Sequence, residues 1–393
     1  MLKNIYLAGS VRTPLGGFCG AFSEVSAVDL GKTAVKAALQ RSGVNEQDVD
    51  EVFIGNILSG DLRPNAARQV GMGAGLPQDV PATTVNVLCA SGMKAIVLGA
   101  QSILAGDADV VVAGGIENMT RSPYLIPKAR QGFRLGSGEV LDSMLTDALL
   151  DAFDGLHMGV CADKAAARYG FTRQEQDDYG VESYRRAIKA EKEGIFAREI
   201  VPVEIKGKRG KVTVVDKDEE PGRFNEEKFR ALSPAFGKEG TVTAGNASSI
   251  NDGAAAVVIA SGEKAKELGL NIEARLLGYT MHAQEPEWFT LAPIGAIEKL
   301  LKQLNWTVDD VDLFEINEAF SVVPMAAMKD LKIPHEKVNV HGGAVCLGHP
   351  IGASGTRIIA TLINALRTHN KRTGIASLCV GGGMGIAMAI ELV

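Results

Sequence analysis

Two stretches of this chain, far apart, follow one plan. Val44-Asn-Glu-Gln-Asp-Val-Asp-Glu-Val-Phe-Ile-Gly-Asn56 and Trp306-Thr-Val-Asp-Asp-Val-Asp-Leu-Phe-Glu-Ile-Asn317 each run from a polar helix end through Asp-Val-Asp into a strand that closes on Asn. Downstream of each comes a second matched pair, Leu88-Cys-Ala-Ser-Gly-Met-Lys-Ala and Gly348-His-Pro-Ile-Gly-Ala-Ser-Gly. Both place a reactive residue just before a glycine-punctuated helix start. Any two α/β units share some of this patterning, but the common Asp-Val-Asp and Asn favour a duplication. With 393 residues the chain exceeds what one hydrophobic core usually holds, so two similar packed units are expected.

Local patterns agree with that plan. Lys3 to Ala8, Val49 to Ile57, Ala82 to Val87 and Val110 to Ala113 read as strands, apolar on both faces as buried central strands are. Ala27 to Arg41 reads as an amphipathic helix stopped at Gly43. Strands alternating with helices imply an α/β fold with helices covering the sheet faces. Between the halves, roughly Asn118 to Ala247, the pattern changes. One long helix is expected there, Arg173 to Glu193, beside a basic stretch holding Lys206, Lys208, Arg209, Lys211, Lys217, Arg223, Lys228 and Arg230. This segment reads as an insertion laid over the core rather than another sheet. Ala254 to Ala260 then reads as a buried strand returning to the first unit.

Bulk properties exclude several classes. A net charge of −6 argues against a general nucleic-acid binder. Hydrophobic residues at 46% and charged residues at 22% are ordinary for a folded globular chain. No apolar run approaches the roughly 20 residues that span a bilayer, and the N-terminus carries no targeting pattern, so a cytoplasmic location without membrane attachment is expected. The five cysteines, Cys19, Cys89, Cys161, Cys346 and Cys379, are scattered and odd in number, which points to free thiols.

Three positions invite chemistry. Cys89 falls where a strand hands over to a helix, and unpaired N–H groups with the helix dipole would favour its thiolate and lower its pKa. A lone cysteine is nevertheless most often a small buried hydrophobe, and locally that reading wins. His349 sits on a loop tightened by Pro350 and glycines, where a structural histidine is equally at home. Cys346 and His349 have metal-ligand spacing, but no second ligand pair accompanies them, so no metal is expected. Cys379 precedes Val-Gly-Gly-Gly-Met-Gly, a run that lets a backbone amide face a developing oxyanion. Gly31-Lys32-Thr33 lacks the rest of a phosphate loop, and no Gly-x-Ser-x-Gly elbow occurs.

In combination these positions resemble one family. Asn86-Val-Leu-Cys-Ala-Ser-Gly-Met-Lys-Ala, Gly245-Asn-Ala-Ser-Ser-Ile-Asn-Asp-Gly-Ala-Ala-Ala, Asn317-Glu-Ala-Phe, Gly348-His-Pro-Ile-Gly-Ala-Ser-Gly and Cys379-Val-Gly-Gly-Gly-Met-Gly are similar, in order, to the signatures of the thiolases. The resemblance covers nearly the whole chain. It implies the thiolase fold: two βαβαβαββ halves in a five-layered α-β-α-β-α core, plus a loop domain. Residues 1–118 with 248–271 would form the N-terminal half, 119–247 the inserted loop domain that binds CoA, and 272–393 the C-terminal half.

The resemblance also implies chemistry. Cys89 would carry the acyl group, His349 would take its thiol proton, and Cys379 would move a proton on the α-carbon of the second acetyl-CoA. One oxyanion site would use His349 and a water held by Asn317. The other would use the N–H groups of Cys89 and Gly381. His157 and Met158 match a short-chain motif that touches pantetheine, and Leu149, Phe236, Ala244, Ser248, Ala319 and Phe320 match other tunnel positions. Arg223 is the candidate contact for a nucleotide phosphate. The implied activity is acetyl-CoA C-acetyltransferase, which interconverts two acetyl-CoA with acetoacetyl-CoA and CoA in a ping-pong reaction. CoA and its esters would be substrates, with no separate cofactor. A homotetramer, a dimer of dimers joined through a hairpin after Asn118, is implied too.

Some residues depart from the family. Trp288-Phe-Thr-Leu-Ala-Pro is closer to a mitochondrial type that accepts a 2-methyl branch and binds potassium partly through a tyrosine. Pro221 stands about where that tyrosine would be, so potassium and branched-chain specificity are not expected. Cys346 replaces a small Ala or Ser. The alternatives are a 3-ketoacyl-CoA thiolase of broader or branched chain specificity, opposed by His157-Met158; a β-ketoacyl synthase, opposed by Cys379; and a non-catalytic lipid carrier, opposed by the presence of Cys89, Asn317, His349 and Cys379 together.

Overall fold

A computed structural model describes residues 4–207 and 210–393. Lys3, at the head of the first expected strand, and Lys208 and Arg209, in the basic stretch, lie outside the described residues. The first half runs β1 (Ile5–Arg12), α1 (Ala27–Ser42), β2 (Glu51–Gly55), α2 (Ala66–Ala74), β3 (Ala82–Val85), α3 (Ser91–Ala105) and β4 (Val110–Asn118), and closes much later with β5 (Asn251–Ser261). The second half runs β6 (Ile272–Ala283), α6 (Ala292–Leu304), β7 (Leu313–Ile316), α7 (Val322–Leu331), α8 (Ile351–Thr368), β8 (Thr373–Val380) and β9 (Met384–Leu392). Between them the insertion contributes α4 (Met158–Tyr169) and α5 (Arg173–Lys192).

The duplication is visible in the strand pairing. In the first half β3–β2 and β2–β4 are parallel, while β4–β5 and β5–β1 are antiparallel. In the second half β7–β8 is parallel, and β8–β9 and β9–β6 are antiparallel. The second counterpart of β3 has shrunk to one parallel bridge between Phe314 and Val338. The halves share a seam, because β1 pairs antiparallel with β6 through Tyr6–Arg275 and Leu7–Ala274. All of these strands therefore join one continuous sheet.

Three apolar clusters place the helices. α1 and α2 cover the outer face of the first half, and α6 and α7 that of the second. α3 and α8 lie between the two curved halves, sharing one core with both inner faces. The layers are thus α-β-α-β-α. α3 is apolar enough in length and composition to cross a membrane, and here it is the central-layer helix, enclosed on most sides.

Local chemistry sets the element ends. Ser26 caps α1 by accepting from Asp29 N, and Gly43 ends it at φ +80, as its sequence predicts. β4 runs five residues past its expected end at Ala113, through Gly114 and Gly115. A Cβ on Gly115 would sit 2.1 Å from the Gly352 carbonyl, so these glycines mark where α8 presses onto the strand rather than where the strand stops. In the insertion α5 appears as expected, with Thr172 and Glu175 forming a capping box. α4 is not foreseen by the sequence reading, because its cap is His157, whose Nδ1 accepts from Gly159 N at 3.0 Å, and not one of the usual capping residues. The insertion's strands form two short ribbons apart from the main sheet, Tyr124–Leu125 with Leu141–Asp142 and Val203–Lys206 with Val212–Val215.

A buried ionic cluster ties the insertion to the core. Arg12 on β1 is fully enclosed and binds Asp218 through two contacts of 2.7 and 2.9 Å and Glu199 at 2.6 Å. Glu199 also accepts from Thr361 and Asn364 on α8.

Candidate active site

The turn from β3 to α3 carries Cys89. Leu88 takes φ +46, a left-handed conformation that side chains rarely adopt, and Ser91 Oγ accepts from Val87 N and donates to the Leu88 carbonyl. Cys89 is thereby presented to a cavity of about 500 Å³. The expectation of a lowered thiol pKa does not hold. Burial pushes Cys89 up to about 11, outweighing the N–H groups of Gly381 and of Cys89 itself, which pull it down. α3 begins two residues later, at Ser91, so its end is too little to offset the lost water. Gly381 leads a turn in which Gly382 and Gly383 take φ +79 and +86, positions open to glycine.

His349 enters the same cavity from the loop before α8. Its Nδ1 lies 2.6 Å from Ser354 Oγ, and that hydroxyl gives its single proton to the Pro350 carbonyl at 2.9 Å. Ser354 must therefore accept from Nδ1–H, which leaves the Nε2 lone pair free to act as a base. Asn317 Nδ2 stands 3.5 Å from that Nε2. Arg357 donates to Asn317 Oδ1 at 3.2 Å and pairs with Glu315 at 3.1 Å, which turns the amide so that its NH₂ faces the histidine. Burial, and then the positive charge of Arg357, push His349 down to about 3. Asn251 holds the backbone from below by accepting from His349 N at 3.1 Å.

Cys379 is fully buried in β8, and burial followed by the proximity of Cys89 raises its thiol well above the ordinary range. Thiol, thiol and neutral imidazole thus meet, with proton transfer left to the moment of reaction. Behind Cys89, Glu117 at the end of β4 accepts from Gly352 N at 3.0 Å, Asn56 Nδ2 at 2.8 Å and the N–H groups of Ile57 and Leu58 at 3.2 Å. Burial raises Glu117 to about 8, and burial likewise raises Glu315 to about 8 against the pull of Arg357.

Every expected CoA contact lies on this cavity: Leu149, His157, Met158, Arg223, Phe236, Ala244, Ser248, Ala319 and Phe320. His157 stacks on Phe236 at 4.6 Å, and Phe236 meets Phe320 edge-on at 6.2 Å. Arg223 is half-exposed and already paired with Glu219 at 3.0 Å and Glu220 at 3.6 Å. Asn317, Cys379 and Gly381 are set behind the cavity wall rather than on it. Phe289 lines the cavity too, as do Phe18 and Ile250, two positions that no sequence motif marks. Phe18 is carried there because Gly16–Gly17 pairs with the head of β5. Ser354 and Arg357 were missed as supports, although their place within two turns of His349 on α8 is a readable sign. Cys346 is buried away from the cavity, donating to the Gly343 carbonyl at 3.1 Å and lying 3.3 Å from Ser183 Oγ.

Comparison with known proteins agrees with this architecture. Residues 5–263 match the family model for the thiolase N-terminal domain and residues 270–392 that for the thiolase C-terminal domain. The chain is 50% identical over 392 residues to acetyl-CoA acetyltransferase 2 of Arabidopsis thaliana, covering 99% of this chain and 97% of that one. It is 46% identical over 388 residues to an acetyl-CoA acetyltransferase of Chromobacterium violaceum, covering 98% and 99%. Among solved structures it superposes on the Bacillus anthracis acetyl-CoA acetyltransferase with TM-score 0.97 and 43% identity, covering 100% and 99% of the two chains. A thiolase from Ascaris suum in complex with coenzyme A gives TM-score 0.94 and 43% identity, each chain fully covered. With both domain models matched end to end and a fold shared with solved members, the chain belongs to the thiolase family.

Proposed function

We propose that this thiolase is an acetyl-CoA C-acetyltransferase, and the observation that carries the reading is that Cys89 and His349 line one apolar cavity, with the buried Cys379 close enough to Cys89 to feel its charge. In the cleavage direction His349 Nε2 takes the Cys89 proton as the sulfur attacks the 3-keto carbon of acetoacetyl-CoA. The C2–C3 bond breaks, its electron pair passes to the acetyl-CoA enolate, and the Cys379 thiol protonates C2. The acetyl group stays on Cys89 until the thiol of CoA, giving its proton to the Cys379 thiolate, attacks it; the C–S bond to Cys89 breaks, Cys89 recovers its proton from His349, and a second acetyl-CoA leaves. Two half-reactions through one acyl-cysteine give ping-pong kinetics.

The N–H groups of Cys89 and Gly381 would hold one developing oxyanion, and His349 with a water on Asn317 the other. Burial leaves the imidazole in its unprotonated form at neutral pH. The 119–247 insertion would receive the pantetheine arm of CoA against His157, Met158 and Phe236. The chemistry runs on these groups and CoA alone, without a cofactor. Five free cysteines support a reducing, cytoplasmic setting.

We also propose a homotetramer. Tyr124 on the insertion's first ribbon, and Ile126, Phe133 and Leu135 in the segment joining its two strands, are exposed and apolar, and β3 is an edge strand of the great sheet. Light scattering on wild-type and Leu135→Asp protein checks this; a wild-type monomer would sink it. For the reaction, brief exposure to acetyl-CoA followed by mass spectrometry should place one acetyl group on Cys89. A Cys89→Ser variant that cleaved acetoacetyl-CoA at the wild-type rate would overturn the assignment.

A further inference from the structure

One step along the chain from Asn317, the side chain of Glu318 is completely buried. Its partners are four neutral donors. Oε1 accepts from Tyr179 Oη at 2.9 Å and Asn339 Nδ2 at 2.8 Å. Oε2 accepts from Ser183 Oγ at 2.8 Å and Val345 N at 3.1 Å. These donors come from separate parts of the molecule. Tyr179 and Ser183 stand on α5 of the insertion, Asn339 follows the bridge that replaces a strand, and Val345 belongs to the short helical turn Ala344–Leu347 that leads to His349.

The cluster is interlocked. Ser183 Oγ accepts from Gly343 N at 3.0 Å while donating to Glu318. Asn339 Oδ1 accepts from Ile316 N and its Nδ2 donates to the Ile316 carbonyl, both at 2.8 Å, so this amide cannot be turned over. A Cβ on Gly343 would lie 2.4 Å from the Glu318 carboxyl carbon, so the His349 loop packs directly onto the carboxylate.

We propose that Glu318 is the positioning residue of this active site: it fastens α5, the Asn317 turn and the His349 loop together and so sets the reach between Asn317 and His349. The proposal rests on the acetyl transfer read above for that pair. Its cost is a buried carboxylate, which stays tolerable because charge-assisted hydrogen bonds fill both oxygens. It also explains why the CoA-binding insertion is registered to the catalytic groups: one side chain carries both.

Glu318→Gln is the discriminating change because it keeps the shape. Whichever way the new amide points, its NH₂ meets a donor that cannot reverse, Asn339 Nδ2 on one side or Val345 N on the other. The expected result is a fall in kcat for acetoacetyl-CoA cleavage of about 10²-fold, the scale of a misplaced catalytic group, with the KM for CoA moved by less than about threefold. Tyr179→Phe and Ser183→Ala, which each remove one of the two donors that α5 offers to Glu318, should give the same split in smaller measure and be non-additive with Glu318→Gln. Amide hydrogen exchange should quicken in residues 317–320 and 339–349 while α1 and α6 keep wild-type protection. Wild-type kcat in Glu318→Gln, or unchanged exchange in those two segments, would overturn the proposal. A wild-type enzyme inactive on acetoacetyl-CoA would instead sink the reaction assigned above, and the exchange measurement would still decide what Glu318 holds.

Discussion

Ser354 sets the tautomer of His349: its hydroxyl gives its proton to the Pro350 carbonyl and so takes the Nδ1 hydrogen of the imidazole at 2.6 Å. The base is thus set by a neighbour one helical turn along α8, and not by a carboxylate. Ser354→Ala removes that fixed point and strands a buried N–H. A positioned general base is worth about 10²–10⁴-fold, and only the tautomer preference is lost here, so kcat is expected to fall by roughly 10–10²-fold. Steady-state cleavage of acetoacetyl-CoA measures it, and Ser354→Thr, which keeps the hydroxyl, should recover most of the rate.

The resting cysteine is a thiol. With Cys89 near 11 and His349 near 3, neither group changes charge between pH 5 and 8. Alkylation of Cys89 by iodoacetamide without substrate should therefore climb steadily with pH through 9 and show no plateau near 7. A plateau at neutral pH, detected by mass spectrometry of the labelled peptide, would reveal a preformed thiolate–imidazolium pair.

Stability should fall as pH rises from about 6.5 to 8. Glu117 and Glu315 have folded-state values near 8, raised above their unfolded 4.5, so in this window the folded chain holds protons that the unfolded chain has lost. That contribution is complete below 4.5 and gone above 8. The buried histidines act the other way, being lowered to about 4 at His341 and about 3 at His349, and their effect ends near their unfolded value of 6.5. Above 6.5 the carboxyls act alone. Urea midpoints across pH 6.5–8 test this, and Glu117→Gln should flatten the slope whatever it does to the absolute midpoint.

Arg12→Leu should be severe. It leaves Asp218 and Glu199 in the interior without their cation, a change that typically costs about 3–5 kcal/mol. Breaking the exposed Lys32–Asp29 pair should cost less than about 1 kcal/mol. Denaturant unfolding of the two variants side by side gives the contrast.

The residues of the candidate site could be picked out in the sequence because they stand at strand ends or loops marked by glycine. Cys89, Asn317, His349 and Cys379 could each be named from short segments, and the repeat foretold the doubled strand order. What escaped depends on enclosure or on distant partners. The helix-end argument for Cys89 contains the dipole but not the lost water, so it gave the wrong sign for the thiol. Phe18 reaches the cavity only through a strand pairing more than two hundred residues away in sequence. The end of β4 was misplaced because Gly114 and Gly115 look like a stop, whereas they accommodate a helix. α4 was invisible because a histidine caps it.

The place of β1 has a consequence for how the chain is made. This strand lies between β5 and β6, and these neighbours are complete only once the ribosome has passed residues 261 and 283. The first strand synthesised must therefore wait, unpaired and apolar, for most of the chain to emerge. Such distant pairings fold slowly and expose sticky edges meanwhile, so the nascent protein is expected to lean on chaperones until the seam between its halves can close.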